Sequence, residues 1–348
     1  MRRIEKQDVE EIIQGINVEK VLGKTFLITG ATGSLARYFV HTLMEIAERY
    51  KGKECKVIVV CRNREKAVDI FKEYINSLYF KMICGRVEEP VCCEEHIDYI
   101  LHAACTSATK FFRSNPVDIS SANVIGTYNL LSLAREKQVK GFLFFSSGAV
   151  YGGKTQDDFS YNGINPLDYQ NCYALSKQMG ENLCACFAEQ YAVPAKVVRI
   201  GYTYGPHMDL NDGHLYSDFA KSIVEYKDIQ IKGDGQNYIG LCYITDAIRA
   251  FFMILFNGKI NTPYVMRNAK EYMRIEEVAQ KLIREAFPER NLQYRCMMRI
   301  EGKSPEPCVR EPILLKELGW EPQIDVIDGF QRLVDCLEEP YVKRGELK

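Results

Sequence analysis

Short apolar runs alternating with amphipathic helical stretches predict an α/β chain: a doubly wound parallel sheet followed by a smaller, mixed C-terminal domain. Three observations carry this. The apolar runs are uninterrupted, as in strands covered on both faces. A glycine-containing turn follows the first of them. Beyond Tyr202 the regularity fades, and Gly, Asp, Asn and Tyr cluster up to Gly240, as in long loops.

The elements follow in order. Gln7–Gly15 has helical spacing. Thr25-Phe-Leu-Ile-Thr29 is the first strand, and Gly30-Ala-Thr32-Gly33-Ser34-Leu35-Ala36 leads into a helix over Tyr38–Tyr50. Lys56–Cys61 is the next strand, with a helical stretch around Ala67–Leu78. Strands Asp98–His102 and Gly141–Ser146 flank a helix at Asn123–Lys137. A helix over Tyr173–Tyr191 and a strand at Lys196–Ile200 close the series. The last helices, Ile275–Ala286 and Ile327–Glu338, flank a Leu-Gly-Trp-Glu-Pro turn at 318–322. This predicts a dinucleotide-binding domain over 1–200, with a returning segment at about 240–268. A substrate domain is expected from 201–239 and 269–348. No internal repeat or low-complexity tract interrupts the pattern.

Composition narrows the function classes. The chain has 348 residues, 45 Lys+Arg and 46 Asp+Glu, so its formal charge is −1. That balance argues against nucleic acid or a polybasic membrane contact, which need a basic surface. The longest purely apolar stretch, Ala250–Phe256, is far shorter than the roughly 20 residues of a spanning helix. The N-terminus lacks the apolar core of a signal peptide, so a cytoplasmic enzyme is expected. The 13 cysteines include no Cys-x-x-Cys pair, and His41, His96, His102, His207 and His214 show no metal-ligand spacing. Reduced thiols acting as small hydrophobes, and no metal, are expected. The Asp/Asn-rich loop between His207 and His214 is read as a solvated substrate loop.

Gly30-x-x-Gly33-x-x-Ala36 lies between a strand and a helix, the arrangement of a Rossmann dinucleotide site. There the glycines let a pyrophosphate approach the backbone at the helix N-terminus. Gly30, Thr32, Gly33, Ser34 and Leu35 are therefore cofactor candidates. At the end of the second strand, where NAD-preferring sites usually carry a carboxylate, the run is Arg62-Asn63-Arg64. Two guanidinium groups suit a 2′-phosphate, so NADP is expected, with NAD the alternative. In that case Arg62 would stack on the adenine and Arg64 would be a solvated helix-start residue.

Of 21 tyrosines, only Tyr173 has a lysine, Lys177, four positions on. On a helix the two share a face. The preceding strand ends in Ser146-Ser147, presenting a hydroxyl at the carboxyl edge where doubly wound folds hold ligands. A carbonyl receiving a hydride needs a proton, and a phenol beside a cation can give it. Ser147, Tyr173 and Lys177 are the catalytic candidates.

Thr29-Gly30-x-x-Gly33, His102-Ala103-Ala104, Asn123-x-x-Gly-Thr127-x-Asn-Leu-Leu, Ser147-x-x-Val-Tyr151-Gly, Tyr173-x-x-x-Lys177 and Tyr204-Gly-Pro206 occur in this order. Together they resemble the extended short-chain dehydrogenase/reductase family, which includes nucleotide-sugar epimerases and dehydratases, over roughly Leu22–Glu338. Tyr204 to Phe219 is most similar to the branch of UDP-glucuronate decarboxylases and dTDP-glucose 4,6-dehydratases. The resemblance adds Ala103, Ala104 and Asn123, with Tyr173 and Lys177, to the cofactor contacts. It also implies a homodimer through the helices near Asn123 and Tyr173.

The departures from that branch sharpen the expectation. Its carboxylates before Val-Tyr-Gly are replaced by Gly148 and Ala149, which removes the acid/base for dehydration and undercuts decarboxylation. Arg86 stands where the family often has an acidic residue near the adenine. Tyr202, His214 and Ile239 stand where the family usually has Asn, Arg and Arg against the substrate diphosphate. Arg310, Arg267, Lys232 and His214 are the residues able to compensate. Tyr202, Asn211, His214 and Arg310 are the substrate candidates. The expected activity is NADPH-dependent 4-ketoreduction of a nucleotide-linked keto-deoxyhexose. The alternatives are an NAD-retaining 4-epimerase or decarboxylase-like enzyme, and a non-catalytic scaffold on the same fold.

Overall fold

The computed structural model describes residues 1–105, 107–152, 163–298 and 312–343. Its main sheet has the order β3-β2-β1-β4-β5-β6-β11, all parallel. The strands are β1 (Thr25–Thr29), β2 (Lys56–Cys61), β3 (Phe80–Cys84), β4 (Tyr99–His102), β5 (Gly141–Ser147), β6 (Ala195–Ile200) and β11 (Pro263–Met266). The strand order reverses between β1 and β4, which opens a crevice at their carboxyl ends.

Two faces are covered differently. Helices α1 (Arg3–Gln14), α2 (Ser34–Arg49), α3 (Arg64–Ile70) and α8 (Ile244–Asn257) contribute to one hydrophobic core. On the other, α5 (Pro116–Glu136) and α6 (Cys172–Tyr191) bury Leu130, Leu131, Cys184 and Phe187 against Phe142, Phe144 and Val197. A short helix, α4 (Lys110–Ser114), precedes α5.

The C-terminal region is mixed. It pairs β7 (Thr203–Tyr204) with β10 (Cys242–Tyr243) and β8 (Ile229–Ile231) with β13 (Tyr294–Cys296), both parallel. The pair β9 (Tyr238–Gly240) and β12 (Tyr272–Arg274) is antiparallel. Helices α7 (Leu215–Val224), α9 (Ile275–Lys281), α10 (Ile313–Glu317) and α11 (Val326–Lys343) complete it. Trp320, from the predicted turn, is fully buried and donates to the Asp246 carbonyl (2.8 Å). The Asp246 carboxylate accepts from the Gln323 and Ile324 amides (3.0 Å each) and pairs with Arg249, pinning the C-terminal segment to α8.

Three elements differ from the sequence expectation. Strand β3 is an additional edge strand, and only Phe80 of its five residues is fully buried, so it lacks the apolar run that marks its neighbours. Helix α5 begins at Pro116 rather than Asn123, because proline sits well in a first turn and Ile119 is buried there. Helix α3 stops at Ile70, and turns follow where a helix to Leu78 is expected.

Helix α1 ties the two regions together. Its buried residues Ile4, Asp8, Val9 and Ile12 recur at helical spacing. Asp8 has no solvent exposure and accepts from the hydroxyls of Tyr38 on α2 (2.8 Å) and Tyr243 on β10 (2.9 Å). Arg332 on α11 reaches the same carboxylate (3.1 Å) and also Glu11 (2.6 Å) and Asp328 (2.9 Å). Burial pushes Asp8 from 3.8 up to about 6, while the two hydroxyls and Arg332 pull the other way. The folded chain thus holds this proton more tightly than the unfolded chain. The stability this contributes is complete below 3.8 and is lost as pH rises through about 6. In urea titrations, Asp8→Asn should flatten the part of the stability decline that falls between about pH 4 and pH 7. An unchanged slope would remove Asp8 as its source.

Candidate functional site

The crevice at the reversal point is closed by backbone. Gly30 has φ +68°, and a Cβ there would lie 2.4 Å from the Ala103 carbonyl oxygen and 2.8 Å from the Ala104 amide. Only glycine lets the ends of β1 and β4 come this close. Gly33 is the N-cap of α2 and offers no side-chain cap, so the amides of the first turn, from Ser34 and Leu35, are left for a ligand. With Thr32 half-buried in the loop between them, this cradle matches the pyrophosphate of a dinucleotide. Arg62 and Arg64 are exposed at the carboxyl end of β2. Asn63 between them uses its side chain to cap α3, accepting from the Lys66 amide (2.8 Å).

Across the crevice, Tyr173 and Lys177 project from the first turns of α6 toward Ser147 at the end of β5. Tyr173 stacks on Phe112 (ring centres 4.8 Å, 12° between planes), and the Ser147 hydroxyl acts on it in the direction that favours the phenolate. The Ser147 hydroxyl oxygen also accepts from the Ala149 amide (3.2 Å). Lys177 is buried, and its Nζ donates to the Phe145 carbonyl (2.6 Å), 5.8 Å from the Tyr173 ring centre. The expected lowering of the phenol by Lys177 is not what the protein alone shows. Burial, with Cys105 adding, drives Tyr173 well above the ordinary tyrosine value against the pull of Ser147, and burial lowers Lys177. Desolvation wins because neither charged form has water around it.

A group not anticipated from the sequence holds this constellation in place. Glu181 lies two turns beyond Tyr173 and one beyond Lys177, on the same face of α6. It accepts from Arg199 Nη2 (2.8 Å) and Nε (3.0 and 3.3 Å), and from the Ser146 hydroxyl. Arg199 Nη1 also donates to the Tyr151 hydroxyl (3.0 Å). One buried ion pair thus joins α6, the residue before Ser147, β6 and the turn at Gly148–Tyr151. The available signal was a charged residue inside the apolar run Lys196-Val-Val-Arg199-Ile200. Cys105 and Phe112, which pack beside Tyr173, were also missed.

The remaining candidates divide. Asn123 is fully buried and donates to Ser176 (3.0 Å), one turn past Tyr173, while its Oδ1 has no partner among the described residues. His102 bonds Thr29 (2.9 Å), and burial lowers it to about 3, so it stays neutral. Tyr202 is exposed at the end of β6, and His214 stacks on Tyr216 (5.2 Å) at the start of α7. Their loop meets the segment that precedes α4, since a Cβ on Gly213 would lie 3.0 Å from the Thr109 hydroxyl. Asn211 is not brought in: it is exposed and accepts from Lys221 (2.8 Å). Ile239 is buried in β9. Arg310 lies outside the described residues.

Removing one partner of a buried ion pair costs about 3 kcal/mol or more, because the other charge is left unpaired. Glu181→Ala should show that loss in chemical denaturation, while Glu181→Gln, which keeps the shape, should lose less. Wild-type stability in Glu181→Ala would show that the pair does not hold the fold.

The sequence matches the profile of the "NAD dependent epimerase/dehydratase family" across residues 26–266. It is 28% identical over 312 residues to UDP-glucuronic acid decarboxylase 5 of Arabidopsis thaliana, covering 87% of this chain and 86% of that protein. It is 27% identical to UDP-glucuronic acid decarboxylase 1 of Danio rerio, covering 89% and 72%. The fold is similar to dTDP-glucose 4,6-dehydratase of Bacillus anthracis in complex with NAD (TM-score 0.71, 21% identity, 91% and 97% covered). It is also similar to UDP-glucuronic acid 4-epimerase of Bacillus cereus with UDP-glucuronic acid and NAD (TM-score 0.74, 18% identity, 91% and 100% covered). Among the described residues no helix is long and apolar enough to cross a membrane.

Proposed function

Because the chain belongs to the NAD-dependent epimerase/dehydratase family, we propose that it is an oxidoreductase of nucleotide sugars, a 4-ketoreductase using NADP(H) and a nucleotide-linked keto-deoxyhexose. One observation carries this reading: Ser147, Tyr173 and Lys177 converge beside the Gly30 cradle, while the turn after Ser147 holds Gly148 and Ala149 in place of carboxylates.

Gly30, Gly33 and the first turn of α2 would hold the pyrophosphate of a dinucleotide, whose nicotinamide would supply or accept the hydride. Tyr173 gives its hydroxyl proton to the ketone oxygen as charge builds there, or takes a proton in the reverse direction. Ser147, whose oxygen accepts from the Ala149 amide, has its own proton free to donate to the same oxygen. Lys177 has three N–H donors, so it can keep the Phe145 carbonyl and still hold a ribose hydroxyl. Its ammonium is stabilised once a phenolate forms, and each charge offsets the desolvation of the other. The exposed Arg62 and Arg64 support NADP, with their guanidinium groups available for a 2′-phosphate. Asn123 acts on this reading by holding Ser176 and thereby the first turn of α6.

A second reading, a 4-epimerase or decarboxylase-like enzyme that retains NAD, is favoured by the names of the relatives and by the NAD in the similar solved structures. Mass spectrometry of the ligands released from purified protein separates the two. NADP(H) supports net reduction, and tightly held NAD supports the internal redox cycle. Tyr173→Phe should lower turnover of a keto-sugar nucleotide by about 10²- to 10⁴-fold while cofactor affinity is unchanged. Full function in that variant would favour a non-catalytic scaffold.

We also propose a homodimer. Val117, Ile125 and Tyr128 on α5 and Met179 on α6 are exposed although apolar, and a second copy covering them would bury this surface. Light scattering should give twice the chain mass, and a monomer mass would end the proposal.

A further inference from the structure

We propose that Arg267 is the cation that binds the phosphoryl groups of the nucleotide-linked substrate; this rests on the nucleotide-sugar reading above. Arg267 follows β11 directly. Its Nε is buried with no partner, and no described residue forms a hydrogen bond or ion pair with its guanidinium. A buried N–H without an acceptor is costly unless a ligand supplies one.

Of the other residues able to take this role, Lys232 is paired with Asp218 (2.6 Å). The His214 ring is stacked on Tyr216, and its buried Nε2, like Arg267 Nε, has no partner. Of the three within the described residues, Arg267 alone combines an unpartnered side chain with a permanent charge.

Its position sets what it can bind. The register runs Ser147 to Ile200 to Met266, so Arg267 stands one residue beyond the row that contains the catalytic serine, two strands away. At the usual strand spacing that is about 10 Å, the span of a pyranose ring and its glycosidic phosphate. A carboxylate on the sugar ring would sit beside the reacting carbon and fall short of it. The path between is cleared by glycine. A Cβ on Gly201 would lie 3.1 Å from Arg267 Cβ, so glycine leaves room for the arginine stem at the end of β6. Gly240 on β9 lets the residue after Arg267 come close, since a Cβ there would lie 2.2 Å from the Asn268 carbonyl oxygen. Arg267 is therefore seated between the end of β6 and the strand that carries Ile239.

Calorimetric titration of the NADP(H)-saturated protein with UDP, dTDP and GDP, and with uridine, thymidine and guanosine, tests this. At least one diphosphate should bind wild type more tightly than its nucleoside. Arg267→Gln should weaken that diphosphate by about 10- to 100-fold, as expected for loss of a bidentate charged contact. Arg267→Lys should recover part of the loss, and nucleoside and cofactor affinities should not change in either variant. Equal diphosphate affinity in wild type and Arg267→Gln would overturn the proposal and leave the nucleotide-sugar reading intact. If no diphosphate binds wild type better than its nucleoside, the nucleotide-sugar reading falls, and the assignment of Arg267 with it.

Discussion

The arrangement of Ser147, Tyr173 and Lys177 depends on one buried ion pair. Glu181 and Arg199 are almost fully removed from water, which is expensive for both charges. The bidentate geometry and the added bonds to Ser146 and Tyr151 satisfy most of what water would have supplied. The pair restricts more than stability. It fixes α6 along its axis against β5 and β6, so the register of Tyr173 and Lys177 relative to Ser147 is set from below. Helices slide easily on apolar surfaces, whereas a two-pronged ionic contact has a single good position.

The upper part of the site follows the opposite logic. Tyr173 and Lys177 are as deeply buried as the ion pair but carry no comparable bond between them. Their charged forms are disfavoured until something else enters the crevice. The fold thus keeps a mutually bonded pair as foundation and, one and two helical turns from Glu181 on the same helix, two buried groups with no such bond to each other. The same division applies at the far end of the crevice, where Lys232 is spent on Asp218 and Arg267 is not.

Much of this was legible in the sequence. Gly30 and Gly33 announce themselves because glycine between an apolar strand and a helix has few other uses, and the Tyr173–Lys177 spacing places both on one helical face whatever the tertiary context. The central strands were legible because burial on both faces forces continuous Val, Ile, Leu and Phe. Strand β3 was not, because an edge strand with only Phe80 fully buried lacks that signature. Nor was the start of α5, where Val117 and Ile119 are set among Asp118, Ser120 and Ser121 without a clear helical stripe. Arg199 could have been flagged as a charge in a buried strand, but its partner lies 18 residues away on α6 and is set by topology. The freedom of Arg267 is a fact about neighbours in space, and Asn211 turned outward because Lys221, one helix away, was within reach. Local pattern reveals which residues are suited to chemistry; only the fold decides which remain available for it.

The clamp formed by α1 has a consequence for how the chain is made. Asp8 meets Arg332 across 324 positions, and its other partner beyond α2, Tyr243, is separated from it by 235. Those contacts do not exist while the chain is being synthesised from its N-terminus. Helix α1 therefore finds its full set of partners only after β10 and α11 have been made, with Ile4, Val9 and Ile12 lacking part of their cover in the interval. All seven strands of the parallel sheet precede α11, so the contact between α1 and α11 closes only after the last of those strands has been made.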